Sequence, residues 1–139
     1  MFFPQNLLEI RRFYIQAWQK NLNKETLSPL EAQLCQVIRL HPEYHRFLKE
    51  DCLDKDFPQQ NPFFHMGLHL ALVDQIQLDK PHGIRDVYQQ LMHKYQDAHE
   101  VEHRMMEILQ MILWQAQEKK ELPDEQIYLR ACQELASNL

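Results

Sequence analysis

The sequence predicts an all-α protein, a compact bundle of five to six helices with short connections, and three observations predict it. Glycine is almost absent, with 2 in 139 residues, so the residue that tight strand-to-strand turns use most is missing. Helix-start signals recur at Ser28-Pro29, Asn61-Pro62, Asp97 and Pro123-Asp124. Between them apolar residues return every three or four positions, the period of a helix with one buried face.

The elements follow in order. Residues 5–21 read as a helix on the recurrence of Leu7, Leu8, Phe13, Tyr14 and Trp18. Ser28 is a good N-cap, Pro29 suits the first helical position, and Glu31 completes a capping box. That second helix is expected to run to about His41, because the residue before Pro42 is biased out of helical geometry. Pro42 then opens a short helix to about Lys49. Residues 51–60, with Asp54, Asp56 and Pro58, read as a loop. Asn61-Pro62 starts a helix to about Asp79, which Pro81-His82-Gly83 breaks. A shorter helix covers 84–95. Asp97 caps a long one to about Lys119, and Pro123-Asp124 begins the last. Repeats, low-complexity tracts and linkers are absent, so residues 1–139 read as a single helical domain.

Bulk chemistry removes several classes of function. Hydrophobic residues make up 45% and charged residues 25%, the balance of a folded chain. A net charge of -5 offers no basic face for nucleic acid and none for anionic membranes. The longest apolar stretch, 63–73, is interrupted by His65 and His69 and is too short to span a bilayer. Arg11 and Arg12 come after the apolar start rather than before it, which is the wrong order for a signal peptide. Cys35, Cys52 and Cys132 form no C-x-x-C pair and read as core residues in a reducing, cytoplasmic compartment. Trp18, Trp114, Met105, Met106 and Met111 read as core, and 118–121 as a solvated helix end. There is no phosphate-binding glycine loop and no G-x-S-x-G elbow.

The histidines carry the chemistry. Of 8, six form H-x-x-x-H pairs: His41/His45, His65/His69 and His99/His103. Four apart on a helix is one face, one turn up, which lets two imidazoles chelate one ion. The first pair is the weakest because Pro42 interrupts the helix inside it, although the helix end at His41 to His45 approaches the level of the other two pairs if that helix runs antiparallel to theirs. The third extends to Glu107, and Glu102 falls within the apolar face of the same helix, where a carboxylate needs a partner. His65 and His69 share a stripe with Leu72 and Ile76. Both later pairs occupy the first two turns of helices expected to run parallel, so His65, His69, His99 and His103 are expected to converge, with Glu102 or Glu107 in contact. A divalent metal, zinc or iron, is the cofactor such a set would take. Two other readings stand beside it. The His/Glu cluster could tie helices together in a non-catalytic interaction module. Alternatively, the positive ends of two helices could bind an anion. A protein partner or a homo-oligomer fits the module reading.

H-P-E-Y-H at 41–45, N-P-F-F-H-M-G-L-H-L-A-L at 61–72, D-K-P-H-G-I at 79–84, H-E-V-E-H-R-M-M-E at 99–107 and L-W-Q-A-Q at 113–117 together resemble a family of small proteobacterial proteins catalogued only as a domain of unknown function. The resemblance covers nearly the whole chain and implies a bacterial protein with its histidines and glutamates inside the family's motifs. It implies no activity. A looser similarity to hemerythrin-like and ferritin-like bundles rests on His/Glu spacing alone, and their pair of E-x-x-H helices is missing here.

Overall fold

The computed structural model describes residues 7–58 and 60–137. Every regular element among them is helical: α1 (Leu7–Leu22), α2 (Pro29–Arg39), two 3₁₀ segments (Pro42–Phe47 and Glu50–Cys52), α3 (Pro62–Leu78), α4 (Ile84–Tyr95), α5 (Ala98–Lys119) and α6 (Glu125–Ser137). Residues 5 and 6, expected to open the first helix, lie outside the described residues. The short helix expected after Pro42 is a 3₁₀ turn, and a second 3₁₀ turn stands at the start of the expected loop. Six residues between His41 and Leu48 are too few to repay α-helix nucleation.

The starts of α2, α3, α5 and α6 are made by the side chains that the sequence marks. At α2 the Ser28 hydroxyl accepts from Glu31 N, while Glu31 accepts from Ser28 N at 2.9 Å. Asn61 Oδ1 accepts from Phe63 N and Phe64 N, Asp97 Oδ1 from His99 N and Glu100 N, and Asp124 Oδ1 from Gln126 N and Ile127 N. Each cap satisfies amide groups that have no intrahelical acceptor, and losing one costs about 1 kcal/mol. The ends are less orthodox. Lys24, Asp79, Gln96 and Lys120 all take left-handed backbone with φ of 51–59° where glycine is the usual choice.

The chain forms two compact units, Met1–Leu70 and Ala71–Leu139, and the division falls inside α3. In the first unit α1 packs on α2. Its core joins Tyr14, Ile15, Ala17 and Trp18 with Leu34, Cys35, Val37 and Ile38, and with Leu48, Phe63 and Met66. Arg11 is buried beside it. Its guanidinium donates to the carbonyls of Lys55 (2.7 Å), Leu53 (3.2 Å) and Cys52 (3.4 Å) and lies over the rings of Phe57 and Phe63. One side chain thereby pins the segment between the 3₁₀ turns and α3 to α1. Gly67 admits Tyr14: a β-carbon there would stand 3.3 Å from the tyrosine oxygen.

In the second unit α4, α5 and α6 pack on one another. They bury Ile84, Val87 and Leu91, then Val101, Met105, Met106, Leu109, Ile112 and Ala116, then Tyr128, Leu129 and Cys132. The Tyr128 hydroxyl donates to Gln75 at 2.6 Å, and Arg85 donates to the carbonyls of Ile76 and Gln77, closing the end of α3. Trp114 and Met111 correct the sequence reading. They are not core: Trp114 is 61% exposed and Met111 60%. At 100° per residue Trp114 lies directly opposite Met105, so the period of the buried stripe outranks the apolar character of the residue.

Candidate metal centre

His41 is placed by the end of α2. The last-turn carbonyls of a helix lack intrahelical donors, and both histidines of H-P-E-Y-H supply them. His41 Nδ1 lies 2.8 Å from Val37 O, and His45 Nε2 lies 2.9 Å from Ile38 O. A carbonyl only accepts, so each of these ring nitrogens donates. The neutral His41 ring then carries its lone pair on Nε2, the form in which an imidazole ligates a metal. His45 spends its Nε2–H on α2 and turns its ring onto Trp18, with centroids 4.6 Å apart. The pair therefore splits: His45 serves the helix end, and His41 serves the helix end and a cluster.

That cluster joins His41 to His65 and His69, one turn apart on α3. Ring centroids are 5.0 Å apart for His41 and His65, 4.7 Å for His41 and His69, and 4.9 Å for His65 and His69. One ring nitrogen from each lies within 4.8 Å of the others. His41 is 3% exposed and His69 1%, whereas His65 is half-buried. The N-cap Asn61 and Pro62 fix where α3 begins, and so fix which of its turns carry the two histidines. Tyr44 stacks flat on His41 at 5.1 Å and meets His65 edge-on at 5.8 Å. Burial raises the Tyr44 hydroxyl above its ordinary pKa, with Glu43 adding to the shift. On the outer side, the Gln60 side-chain amide lies 3.1 Å from His65 Nδ1. No carboxylate and no thiol belongs to this group of ligand atoms among the described residues.

The residues expected on α5 sit as follows. His99 and His103 are half-buried with ring centroids 4.0 Å apart. Glu102 is half-buried, and its charge helps raise the Tyr88 hydroxyl, after desolvation. Glu107 is exposed and lies close enough to Arg104 to contribute to that guanidinium's raised pKa, behind the Glu100 hydrogen bond. The structure thus brings His65 and His69 together with His41 in the first unit, and His99 together with His103 in the second.

His41 is the residue that sequence reasoning left out of the candidate set. The H-x-x-x-H spacing signals it. Discounting that pair for Pro42 assumed that both histidines would have to share an α-helical face. They do not share one, and His41 reaches the cluster from a helix end.

No helix is long and apolar enough to cross a membrane among the described residues. A family model described as Domain of unknown function (DUF1841) matches residues 6–134. No curated protein and no solved structure matches the chain.

Proposed function

Since the chain belongs to the family described as Domain of unknown function (DUF1841), its function has to be read from its own residues, and we propose that it is a metal-binding helical protein. The observation that carries the reading is the convergence of three ring nitrogens, from His41, His65 and His69, within 4.8 Å. Zinc held by imidazole has Zn–N distances near 2.0–2.1 Å, which puts tetrahedral ligand nitrogens about 3.4 Å apart. The rings close on an ion of that size with shifts of under about 1 Å each. Imidazole donors favour zinc, iron and the other borderline metals over magnesium and calcium.

The second support is the hydrogen bond from His41 Nδ1 to Val37 O, which orients the ring and holds its tautomer as outer-shell carbonyls do in metal sites. Glu107 is exposed and stands outside the proposed set. We place the protein in a bacterial cytoplasm, on the support of Cys35 and Cys132 packing as buried core residues. Its net charge of -5 supports a role away from nucleic acid.

A second reading, a non-catalytic interaction module, is favoured by one observation. Met111, Trp114, Leu122 and Ile127 are exposed apolar side chains in the second unit, the kind of residue that partner surfaces cover. Thermal unfolding separates the readings. A ligand that binds only the folded state stabilises it by mass action, about 2.7 kcal/mol at a hundredfold excess over Kd. Zinc or ferrous iron added to the stripped protein should raise Tm by several degrees, and His69→Ala should abolish the rise. A Tm unmoved by either metal in the wild type would sink the metal reading and leave the module.

A further inference from the structure

We propose that the first unit binds a small aromatic monoanion, of the aryl carboxylate class, in an open groove between the two 3₁₀ turns and the segment that leads to α3. The groove holds about 530 Å³, within the range of about 300–1,000 Å³ usual for small-molecule sites. Its apolar lining is aromatic. Phe47 and Phe57 meet edge to face with ring centroids 5.2 Å apart. Both are half-buried and both line the groove, so each keeps part of its surface for a ligand. A flat aromatic body packs on such rings offset or edge-on.

The charge on the lining selects the sign of that ligand. Arg46 and Lys55 face one carboxylate, Asp56, so the groove has a positive surplus in a chain whose net charge is -5. The acids nearby in sequence, Glu50, Asp51 and Asp54, are exposed and lie outside the lining, where water and salt screen them. One negative charge matches the surplus, and a second would meet Asp56 uncompensated. The cations also stand beside the rings. The Arg46 guanidinium lies 4.8 Å from the centre of Phe47, and the Lys55 ammonium 5.9 Å from that of Phe57. A guanidinium stacked on a ring keeps its N–H donors in its own plane, free to take a carboxylate. A ligand with a ring and an acid a bond apart therefore meets both kinds of contact together.

The groove is held in shape by a residue behind it. The three bonds from Arg11 to the carbonyls of Cys52, Leu53 and Lys55 fix the backbone that carries one wall, and the Arg11 guanidinium lies 5.3 Å from the centre of Phe57. A wall already ordered leaves little ordering cost for binding to meet.

The test is nuclear magnetic resonance on the nitrogen-15-labelled wild-type chain, with 2-naphthoate, its neutral amide 2-naphthamide, and acetate as probes. Naphthoate should shift the amide signals of residues 46–58 saturably. Naphthamide should bind there more weakly by about threefold or more, as expected for loss of solvent-exposed ion pairing. Acetate, which has the charge without the ring, should produce no saturable shift at the same concentrations. In a chain carrying both Arg46→Gln and Lys55→Gln, with its other signals unmoved, naphthoate should lose its advantage over naphthamide. The inference is overturned if naphthoate leaves residues 46–58 unshifted, if naphthamide binds as tightly, or if acetate saturates the same signals. An advantage that persists in the double variant overturns it too. The three wild-type titrations stand whether or not the variant folds.

Discussion

At the scale of single residues, the centre depends on which nitrogen of each histidine is already in use. His41 and His45 both cap α2, yet the nitrogen used differs, Nδ1 in one and Nε2 in the other. Their substitutions should therefore part company. His45→Ala removes one partly buried hydrogen bond and should cost about 1 kcal/mol, leaving the zinc-induced rise in Tm intact. His41→Ala should cost a similar amount without metal and should also lose the zinc response. Paired melting curves with and without zinc check both. A zinc response that survives His41→Ala would remove it from the ligand set.

Two carboxylates contribute stability that acid removes. Glu31 is held below its ordinary value of 4.5, first by its hydrogen bond from the Ser28 backbone and then by Lys20. Asp79 is held below 3.8, first by the Arg85 backbone N–H and then by that of Gly83. Each folded-state pKa is depressed, so the unfolded chain binds the proton more readily. Their contribution is fully present above the unfolded values and is lost as pH falls through the lower, folded ones. Their share of the denaturant midpoint should hold steady down to about pH 5 and be lost below about 4. Glu31→Gln and Asp79→Asn should each flatten the fall. Unchanged pH profiles in both variants would contradict the assignment.

At the scale of elements, the helix starts were legible and the site only in part. Ser28, Asn61, Asp97 and Asp124 were readable as caps because a cap is a local interaction between a short polar side chain and amides two or three residues on. His65 with His69 and His99 with His103 were readable as pairs for the same reason, since four residues on a helix is a local distance. His41 was readable only as a helix end at the level of the other pairs and not as a ligand, because its place depends on how the chain turns after α2, and no spacing rule reports that. Trp114 shows a different failure. Its residue type pointed to the core, its helical angle pointed away, and the angle won.

The helix ends offer a prediction of their own. With 2 glycines in the chain, four left-handed positions among the described residues are taken by residues with a β-carbon, which costs about 1–2 kcal/mol each. Lys120 closes α5 at φ 54°, and its N–H already reaches Ala116 and Gln117 carbonyls. Replacing it by glycine keeps those bonds and relieves the backbone. Lys120→Gly should therefore raise stability by about 1 kcal/mol, less the entropy glycine adds to the unfolded chain. Chemical denaturation measures this directly, and a marked loss of stability would contradict it.

At the scale of the whole molecule, composition carried the fold class. Scarce glycine, four capped starts and helical periodicity all pointed to one architecture, and such agreement between levels is what makes a sequence readable. The division into units was not legible, because it falls within α3 at residues 70 and 71, where no change of composition or turn signal marks it. Function was less legible still, because family membership carries no chemistry with it and the donor atoms come from segments far apart in sequence. The central claim is that the histidines hold a metal. The most direct measurement is elemental analysis of untagged protein, purified without chelators, followed by X-ray absorption at the edge of whatever metal is found. The account predicts about one zinc or iron per chain, with a first shell of imidazole nitrogens at about 2.0–2.1 Å for zinc. Protein that carries no stoichiometric metal and takes up none when zinc or iron is supplied would contradict it.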